Sequence, residues 1–224
     1  MGCLYVVATP IGNLGDLGAR ARETLVDAGL IAAEDTRITK RLLDRHIIDT
    51  PVISFHSNSS PRRLERIVQA LDEHAVALES DAGTPPVSDP GARLVRAARE
   101  AGHTVAAVPG PSAVTAALAI SGFPADRFIF GGFLPRTDAK RRRELERALE
   151  LGCTAVYFES PHRILAALAS VAAVVGDDPI CVCREMTKIH EEVFVGSAEH
   201  AQERFQPPRG EFVLVLNGGR RSAK

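Results

Sequence analysis

The sequence predicts an α/β protein of two domains, in which a mainly parallel sheet is followed by a mixed sheet. Up to about Gly122, short apolar segments alternate with segments whose apolar residues recur at helical spacing. The predicted strands are apolar on both faces, as expected for parallel strands that are covered by helices. After Gly122-Phe123-Pro124 the strands follow one another more closely, which favours a mixed sheet.

In the first half, five predicted strands are each followed by a helix. The strands cover residues 3–8, 30–33, 52–55, 75–78 and 103–108. The helices cover about 17–28, 36–45, 60–71, 89–101 and 112–120. Ser60-Pro61 is a typical helix start, and Ser88 or Asp89 is expected to cap the fourth helix, with Pro90 in its first turn.

In the second half, strands are predicted at 128–130, 154–158, 180–183, 192–195 and 212–216. Helices are predicted at 140–151, 161–175 and 198–205. The boundary is expected between about Gly122 and Pro135, which gives an N-terminal domain of residues 1–122 and a C-terminal domain of residues 123–224.

Composition is typical of an ordinary globular protein. The 224 residues are 45% apolar and 25% charged, and the formal net charge is −1, so binding to a polyanion would require local clusters of Lys and Arg. The four cysteines lie in or beside apolar strands and are interpreted as buried free thiols of a cytosolic protein. Cys181 and Cys183 are expected on opposite faces of one strand, so no metal site is predicted.

Four loops with polar residues, proline or glycine end predicted strands: Thr9-Pro10, residues 34–37, residues 80–83 and residues 109–112. In a parallel sheet the carboxyl ends of the strands meet at one edge, where small ligands bind. The loop after Leu78 is the richest, because Gly83 allows close approach of a ligand and its prolines restrict its freedom. The alternative is a set of tight turns with ordinary helix caps.

Two common nucleotide-binding devices are missing from the sequence. No GxGxxG motif follows the first strand and there is no P-loop, which argues against dinucleotide enzymes and NTPases. A ligand that contains adenosine but no phosphate would need neither motif, and S-adenosylmethionine is such a ligand.

Eight motifs then point to a known family. They are residues 7–16 (VATPIGNLGD), 33–37 (AEDTR), 80–85 with 88–91 (SDAGTP, SDPG), 108–112 (VPGPS), 132–135 (GFLP), 158–163 (FESPHR), 184–188 (REMTK) and 209–213 (RGEFV). In their residues and their order, they resemble the bacterial 16S ribosomal RNA 2′-O-methyltransferases, in the tetrapyrrole-methylase-like superfamily of class III methyltransferases. The resemblance runs from about Leu4 to Asn217.

The resemblance implies a homodimer that binds S-adenosylmethionine between two α/β domains. It implies methylation of the ribose 2′-OH of a cytidine in 16S rRNA, within the assembled small ribosomal subunit. Members usually carry a further small C-terminal domain, which is expected to contribute to rRNA affinity and has no counterpart in this sequence.

The candidate catalytic residues are Asp35, Glu34 and Arg37, on the substrate side. A carboxylate among them, or Asp81, could accept the hydroxyl proton, and Arg37 could hold a phosphate. The candidate cofactor-binding residues are Pro10, Ser80, Asp81, Ala82, Gly83, Val87, Ser112, Ala113, Phe158, Glu159, Arg184, Gly210 and Glu211.

Structural interpretations compete with these roles. Asp35 could simply cap the following helix, and Glu34 could pair with Arg37 three residues later. Phe158 could belong to the core, and the groups near Arg184 and Glu211 could form a structural ion pair.

Three basic clusters are candidates for RNA binding: Lys40 and Arg41; Arg62 and Arg63; and Arg136, Lys140, Arg141, Arg142 and Arg143. Each could instead be a solvated helix face, but together they would track phosphates. Aromatic residues are only 5% of the chain and Trp is missing, so RNA shape is expected to matter more than base stacking.

Two other functions remain open. A tetrapyrrole C-methyltransferase would share the cofactor, although the Arg-rich helix and the SDAGTP loop argue against it. A catalytically silent RNA-binding assembly factor would share only the fold, and failure to bind S-adenosylmethionine would favour it.

Overall fold

The structure is a computed structural model that describes residues 2–85, 87 and 91–218. The strands are β1 (Cys3–Val7), β2 (Leu30–Ala33), β3 (Val52–Ser54), β4 (Val76–Glu79), β5 (Thr104–Val108), β6 (Phe128–Phe133), β7 (Thr154–Glu159), β8 (Ile180–Arg184), β9 (Glu192–Gly196) and β10 (Phe212–Leu216). The helices are α1 (Ala19–Asp27), α2 (Thr36–His46), α3 (Pro61–Ala70), α4 (Ala92–Glu100), α5 (Ala113–Ser121), α6 (Asp138–Glu150), α7 (Ile164–Val175) and α8 (Ala198–Arg204).

The first sheet has the strand order β3-β2-β4-β1-β5, and its neighbouring strands run parallel. Tyr5 in β1 pairs with Ala77 of β4 on one side and with Ala106 of β5 on the other. The parallel arrangement predicted from the two-sided apolar strands is confirmed. As a result, the loops that follow all five strands lie at one edge of this sheet.

Alternate residues of β1 reach two different cores, because side chains of a strand point to opposite faces. Val7 packs with residues of α1 and α2, whereas Leu4 packs with residues of α3 and α4. The helices therefore cover both faces of the sheet, with α1 and α2 on one face and α3 and α4 on the other.

The starts of these helices follow their capping residues. Asp35 accepts a hydrogen bond from the Arg37 amide at the start of α2, and Ser60 accepts one from the Arg63 amide at the start of α3, where Pro61 is the first helical residue. Helix α4 begins at Ala92 with Gly91 as N-cap and no side-chain cap. The predicted caps Ser88 and Asp89, with Pro90, lie outside the described residues.

The second sheet has the order β6-β7-β10-β8-β9 and is mixed, as predicted. β6 and β7 are parallel, whereas β10 is antiparallel to both β7 and β8. Tyr157, Phe205 and Phe212 are among the largest fully buried side chains of its core. The last strand in sequence thus occupies the centre of the sheet.

The chain divides into two compact units, residues 1–112 and 113–224. The division lies before α5, and therefore earlier in the chain than the boundary expected from sequence. The reason is that α5 contacts β10, a strand of the second sheet. A small-residue helix in the sequence gives no sign of which sheet it will cover.

All four cysteines are free; three are buried, and Cys3 is half-buried. The expectation that Cys181 and Cys183 point to opposite faces is wrong, since their sulfur atoms lie 3.8 Å apart. Residues two apart on a strand share a face, because the side-chain period is two. None of the helices in the described part of the chain is both long enough and apolar enough to span a membrane.

Candidate active site

The loops after β1, β4 and β5 are joined to one another by hydrogen bonds. The Thr9 amide donates to the Gly83 carbonyl at 2.9 Å, and the Gly83 amide donates back to the Thr9 carbonyl at 3.1 Å. The Thr84 hydroxyl donates to the Pro111 carbonyl at 3.1 Å. The predicted convergence of the strand-end loops is therefore confirmed for the first unit.

Gly83 is required at its position by backbone conformation. Its φ is +82°, in the left-handed region that side chains with a Cβ atom rarely adopt. A Cβ atom there would make only ordinary contacts, the nearest being 3.5 Å from Ile11. The glycine therefore fixes the path of the chain through the loop, just after Asp81.

Asp81 joins the loop after β4 to the loop after β2. Its Oδ1 accepts a hydrogen bond from the Asp35 amide at 2.9 Å. Burial raises the pKa of the Asp81 carboxyl, and the negative charge of Asp35 adds to this, while the hydrogen bond from the Asp35 amide and the positive charge of Arg37 act in the opposite direction. A carboxylate with one such bond keeps lone pairs for further donors.

Asp35 and Arg37 form a close pair at the start of α2. Arg37 donates to the two carboxylate oxygens of Asp35 through Nε at 3.0 Å and through a terminal nitrogen at 2.6 Å. These bonds from the Arg37 side chain lower the pKa of Asp35 to about 2, and the bond from the Arg37 amide adds to the effect. The capping role considered for Asp35 is confirmed, and the partner of Arg37 in this pair is Asp35 rather than Glu34.

Glu79 is a buried acid beside this pair that the sequence alone does not single out. Glu79 ends β4 with 3% of its surface exposed, and its carboxyl contacts the hydroxyl of Thr39 in α2. Burial raises the pKa of Glu79 to about 8; the Thr39 contact opposes the rise, and the negative charges of Asp81 and Glu34 increase it. The one sign of it in the sequence is that an acidic residue ends the otherwise apolar strand Val76–Glu79.

The other cofactor-binding candidates of the first unit differ in exposure. Pro10 and Ser80 are buried, and the Ser80 carbonyl accepts a hydrogen bond from the Thr9 hydroxyl. Ala82 and Val87 are exposed, and Ser112 is half-buried. The backbone of residues 80–83 is therefore held by its neighbours, while the side chains of Ala82 and Val87 are exposed and that of Asp81 is half-buried.

In the second unit, Phe158 is half-buried in a group of three phenylalanines. Its ring makes edge contacts with Phe130 at 4.8 Å and with Phe133 at 5.9 Å between centroids, and Phe133 is 56% exposed. Phe158 is thus partly packed, as the core interpretation expected, while the group keeps an exposed aromatic surface. Ala113, at the start of α5, is also half-buried.

Glu159 is buried and ion-paired, and is not the open acceptor that the sequence predicted. Its side chain is fully buried, with one oxygen 3.1 Å from a terminal nitrogen of Arg163 and the other accepting from the Ser160 amide. Because a buried carboxylate is costly without such partners, the pair with Arg163 is structural. Burial raises the pKa of Glu159, while Ser160, Arg163 and Arg141 act in the opposite direction.

Arg184, Gly210 and Glu211 lie together at one edge of the second sheet, since Phe212 is opposite both Glu159 and Arg184. Arg184 pairs with Glu192 at 2.9 Å, and Glu211 pairs with Lys188 at 2.6 Å. Both residues are thus in ion pairs, but with other partners than the alternative interpretation expected, and the side chain of Glu211 is 78% exposed.

The predicted RNA-binding side chains are exposed with one exception. Arg141 is 5% exposed, and it donates to Ser170 and to the carbonyls of Pro135 and Arg136. It faces the core because it lies on the same side of α6 as Leu145 and Ala148. Its assignment to RNA binding is therefore wrong.

The groups at the edge of the first sheet fit a positively charged adenosyl cofactor. Carboxylates suit the amino and hydroxyl groups of such a ligand and would repel a phosphate. Asp81 supplies a partly buried acceptor, and the Gly83 backbone leaves room beside it. S-adenosylmethionine, which has a sulfonium centre and no phosphate, has this chemistry.

Comparisons with known proteins agree with this chemistry. A model of the family described as Tetrapyrrole (Corrin/Porphyrin) Methylases matches residues 3–202. Solved structures share the fold: a diphthine synthase has a TM-score of 0.77 at 15% identity over 96% of this chain and 90% of its own. The uroporphyrin-III-C-methyltransferase from Thermus thermophilus has a TM-score of 0.65 at 19% identity, over 98% and 96%. The fold and the site thus define a methyltransferase of this family, with S-adenosylmethionine as its methyl donor.

Curated relatives make the assignment more specific. A protein of Thermotoga maritima named ribosomal RNA small subunit methyltransferase I is 46% identical, over 97% of this chain and 99% of its own length. A protein of the same name from Synechocystis is 45% identical, over 97% of this chain and 80% of its own length. The chain belongs to the ribosomal RNA small subunit methyltransferase I family.

Proposed function

We propose that the protein transfers a methyl group from S-adenosylmethionine to the ribose 2′-OH of a cytidine in 16S rRNA of the small ribosomal subunit. The observation that carries the proposal is the exposed Arg37, held by Asp35 directly beside the Asp81 loop. A guanidinium in this place can hold a phosphate of an RNA chain next to the cofactor-binding loop. A tetrapyrrole C-methyltransferase shares the fold, but within residues 2–85, 87 and 91–218 no side-chain arrangement favours a tetrapyrrole over RNA.

The residues of the first unit have separate tasks in this proposal. S-adenosylmethionine supplies the methyl group when bound, and the loop around Asp81 and Gly83 holds it. Methyl transfer depends mainly on orientation, so Arg37 contributes by fixing the RNA backbone near the acceptor hydroxyl. Asp35 is a weak proton acceptor because of its low pKa, so its task is to orient Arg37.

The decisive test is methyl transfer to purified small subunits from a strain that lacks this modification. We expect radioactive methyl groups from S-adenosylmethionine to appear in 16S rRNA, and the product to be a ribose-methylated cytidine after nuclease digestion. Transfer to a tetrapyrrole substrate instead would support the competing enzyme. Failure of S-adenosylmethionine to bind in calorimetry would support the silent assembly factor.

Asp35→Ala is expected to lower methyl transfer to small subunits by about 10- to 100-fold, while the affinity for S-adenosylmethionine changes little. The variant removes the charged hydrogen-bond partner that orients the Arg37 guanidinium. It also removes the N-cap of α2, which lowers stability. Steady-state transfer and calorimetry measure the two effects.

Asp35→Asn is the matched control, because asparagine is also a good N-cap but carries no charge. It should retain stability and still lose transfer. If Asp35→Ala transferred methyl groups as fast as the unmodified chain, Asp35 would have no role in holding the RNA.

A basic groove on α3 is the proposed path of the RNA backbone over the first unit. The groove has a volume of about 570 Å³ and is lined by Ile53, Ser60, Arg62, Arg63, Glu65, Arg66 and Gln69. Arg63 donates to the Ser54 carbonyl at 3.0 Å, which holds it against the edge strand β3. Lys40 and Arg41 lie on α2, which packs on the opposite face of the sheet, so the two clusters do not form one continuous helix face.

The double variant Arg62→Glu with Arg66→Glu is expected to weaken binding to small subunits and to reduce its salt dependence. Each lost phosphate contact lowers the slope of log affinity against log salt by about 0.7–0.9, so the slope should fall by about 1.5. Filter binding over a range of salt concentrations measures the slope.

The matched control is Arg20→Glu with Arg22→Glu on α1, on the opposite face of the sheet, which gives the same change in net charge. Equal effects of the two double variants would mean that only overall charge matters and that the groove is not a binding path.

The proposal includes a homodimer in the cytoplasm, where small subunits are assembled. Sedimentation equilibrium would test the dimer, since a mass equal to one chain of 24.0 kDa would contradict it.

A further inference from the structure

The Thr39 hydroxyl lies near two oxygen atoms, so the direction of its hydrogen bonds depends on whether Glu79 carries a proton. The Thr39 hydroxyl contacts the Glu79 carboxyl and also lies 3.1 Å from the Asp35 carbonyl oxygen. A carbonyl oxygen only accepts hydrogen bonds, and a hydroxyl group has only one proton to donate. A proton on Glu79 satisfies both contacts at once, because Glu79 can then donate to the Thr39 hydroxyl while Thr39 donates to the Asp35 carbonyl, which also accepts hydrogen bonds from the backbone amides of Ile38 and Thr39.

The surroundings of Glu79 favour this protonated form. The residue is buried under α2, and the charged groups that face it are carboxylates: Asp81, two residues further along the chain, and Glu34, which follows β2. Ionisation would add a further negative charge to this group in a site from which water is largely excluded. The positive charge of Arg37 is directed to Asp35 and acts on Asp81.

The backbone of Asp35 is held from both sides by groups at the end of β4. Its amide donates to Asp81, and its carbonyl accepts from Thr39, which is in contact with Glu79. Asp35 in turn holds Arg37 through two hydrogen bonds. The end of β4 therefore connects by an unbroken chain of contacts to the exposed guanidinium.

We propose that Glu79 is a positioning residue that, as a neutral acid, holds Thr39 and Asp35 in the arrangement that directs Arg37 towards the substrate. Loss of the Glu79 proton turns the Thr39 hydroxyl towards the carboxylate and away from the Asp35 carbonyl. That carbonyl keeps its bonds from the Ile38 and Thr39 amides, and the position of Asp35 at the start of α2 shifts. The consequence for methyl transfer rests on the function proposed above, whereas the consequence for the structure does not.

The structural part is tested by nuclear magnetic resonance of the whole chain over a range of pH. We expect the Glu79 carboxyl carbon to titrate near pH 8, and the Asp35 and Arg37 amides to follow the same midpoint. In Thr39→Val the Glu79 midpoint should persist while the two amides no longer follow it, because the connecting hydroxyl is gone. In Glu79→Gln this midpoint should disappear from both amides.

The functional part compares rates of methyl transfer at about pH 9 and about pH 7 within each variant. At about pH 9 roughly nine-tenths of Glu79 would be ionised in the unmodified chain, whereas Glu79→Gln stays neutral. The rate at about pH 9 divided by the rate at about pH 7 should therefore be about three- to tenfold higher for Glu79→Gln than for the unmodified chain. The exposed Glu73→Gln serves as matched control and should behave as the unmodified chain does.

Three results would overturn the proposal: a Glu79 midpoint near the ordinary value for glutamate, Asp35 and Arg37 amides that ignore its titration, or parallel pH profiles for Glu79→Gln and the unmodified chain. If Glu79→Gln does not fold, Thr39→Val supplies the same comparison of amides. If no variant transfers methyl groups at any pH, the proposed function fails, and the resonance titration still decides the role of Glu79.

Discussion

Replacing Asp81 by alanine should weaken the binding of S-adenosylmethionine by about 10- to 100-fold and lower methyl transfer at least as much. The carboxylate is proposed to accept a hydrogen bond from the cofactor, and bonds to a charged group contribute about 1.5–3 kcal/mol. Loss of the Asp81 carboxylate also leaves the Asp35 amide without its hydrogen-bond acceptor. Calorimetry with the cofactor and a transfer assay on small subunits would measure the two losses separately.

Two further variants make the result for Asp81 interpretable. Asp81→Asn keeps an acceptor oxygen for the Asp35 amide but removes the charge, so it should recover stability more than cofactor affinity. Asp49→Ala removes an exposed carboxylate that follows α2 and should bind the cofactor normally. Normal affinity in Asp81→Ala would show that the loop does not contact the cofactor through this side chain.

The second large effect concerns stability. The free energy of unfolding should fall between about pH 5 and pH 8 in the unmodified chain, relative to Glu79→Gln. Burial raises the pKa of Glu79 from 4.5 to about 8 in the folded state. Between these values the folded chain keeps a proton that the unfolded chain has lost, so rising pH favours unfolding by about 1.4 kcal/mol per pH unit. Over this window we expect a relative loss of about 3 kcal/mol, which levels off above the folded pKa.

Urea unfolding at several pH values measures this difference directly. The comparison with Glu79→Gln removes the contributions of other titrating groups, which both chains share. Asp35 acts in a different window, because its folded pKa of about 2 lies below its ordinary value and its stabilising effect is lost only as acid is added through that range. A difference between the two chains that stays constant from about pH 5 to pH 8 would contradict a protonated, buried Glu79.

The arrangement of the first sheet could be predicted because its signals are local and repeated. Strands such as Leu30–Ala33 are apolar throughout, and capping residues such as Asp35 and Ser60 mark where helices begin. Once the strands are known to be parallel, the convergence of their terminal loops follows from geometry alone. The motif resemblance added the cofactor and the substrate.

Other features depend on contacts between distant residues that no local pattern reveals. Arg141 looks like its basic neighbours in sequence, but its position on α6 turns it into the core beside Ser170. Glu159 looks like a free acceptor, but Arg163, one helical turn later, neutralises it. Glu79 is an acid in an apolar strand, and only the fold shows that Thr39 lies against it.

The position of β10 has a consequence for synthesis of the protein on the ribosome. Because β10 separates β7 from β8 in the second sheet, β6 and β7 cannot be joined to β8 and β9 until residues 212–216 have left the exit tunnel. The first sheet is complete by Val108 and can form while translation continues, as N-terminal domains generally do. A nascent chain that stalls before β10 would therefore expose two unjoined strand pairs with open edges, which are the usual starting point for aggregation.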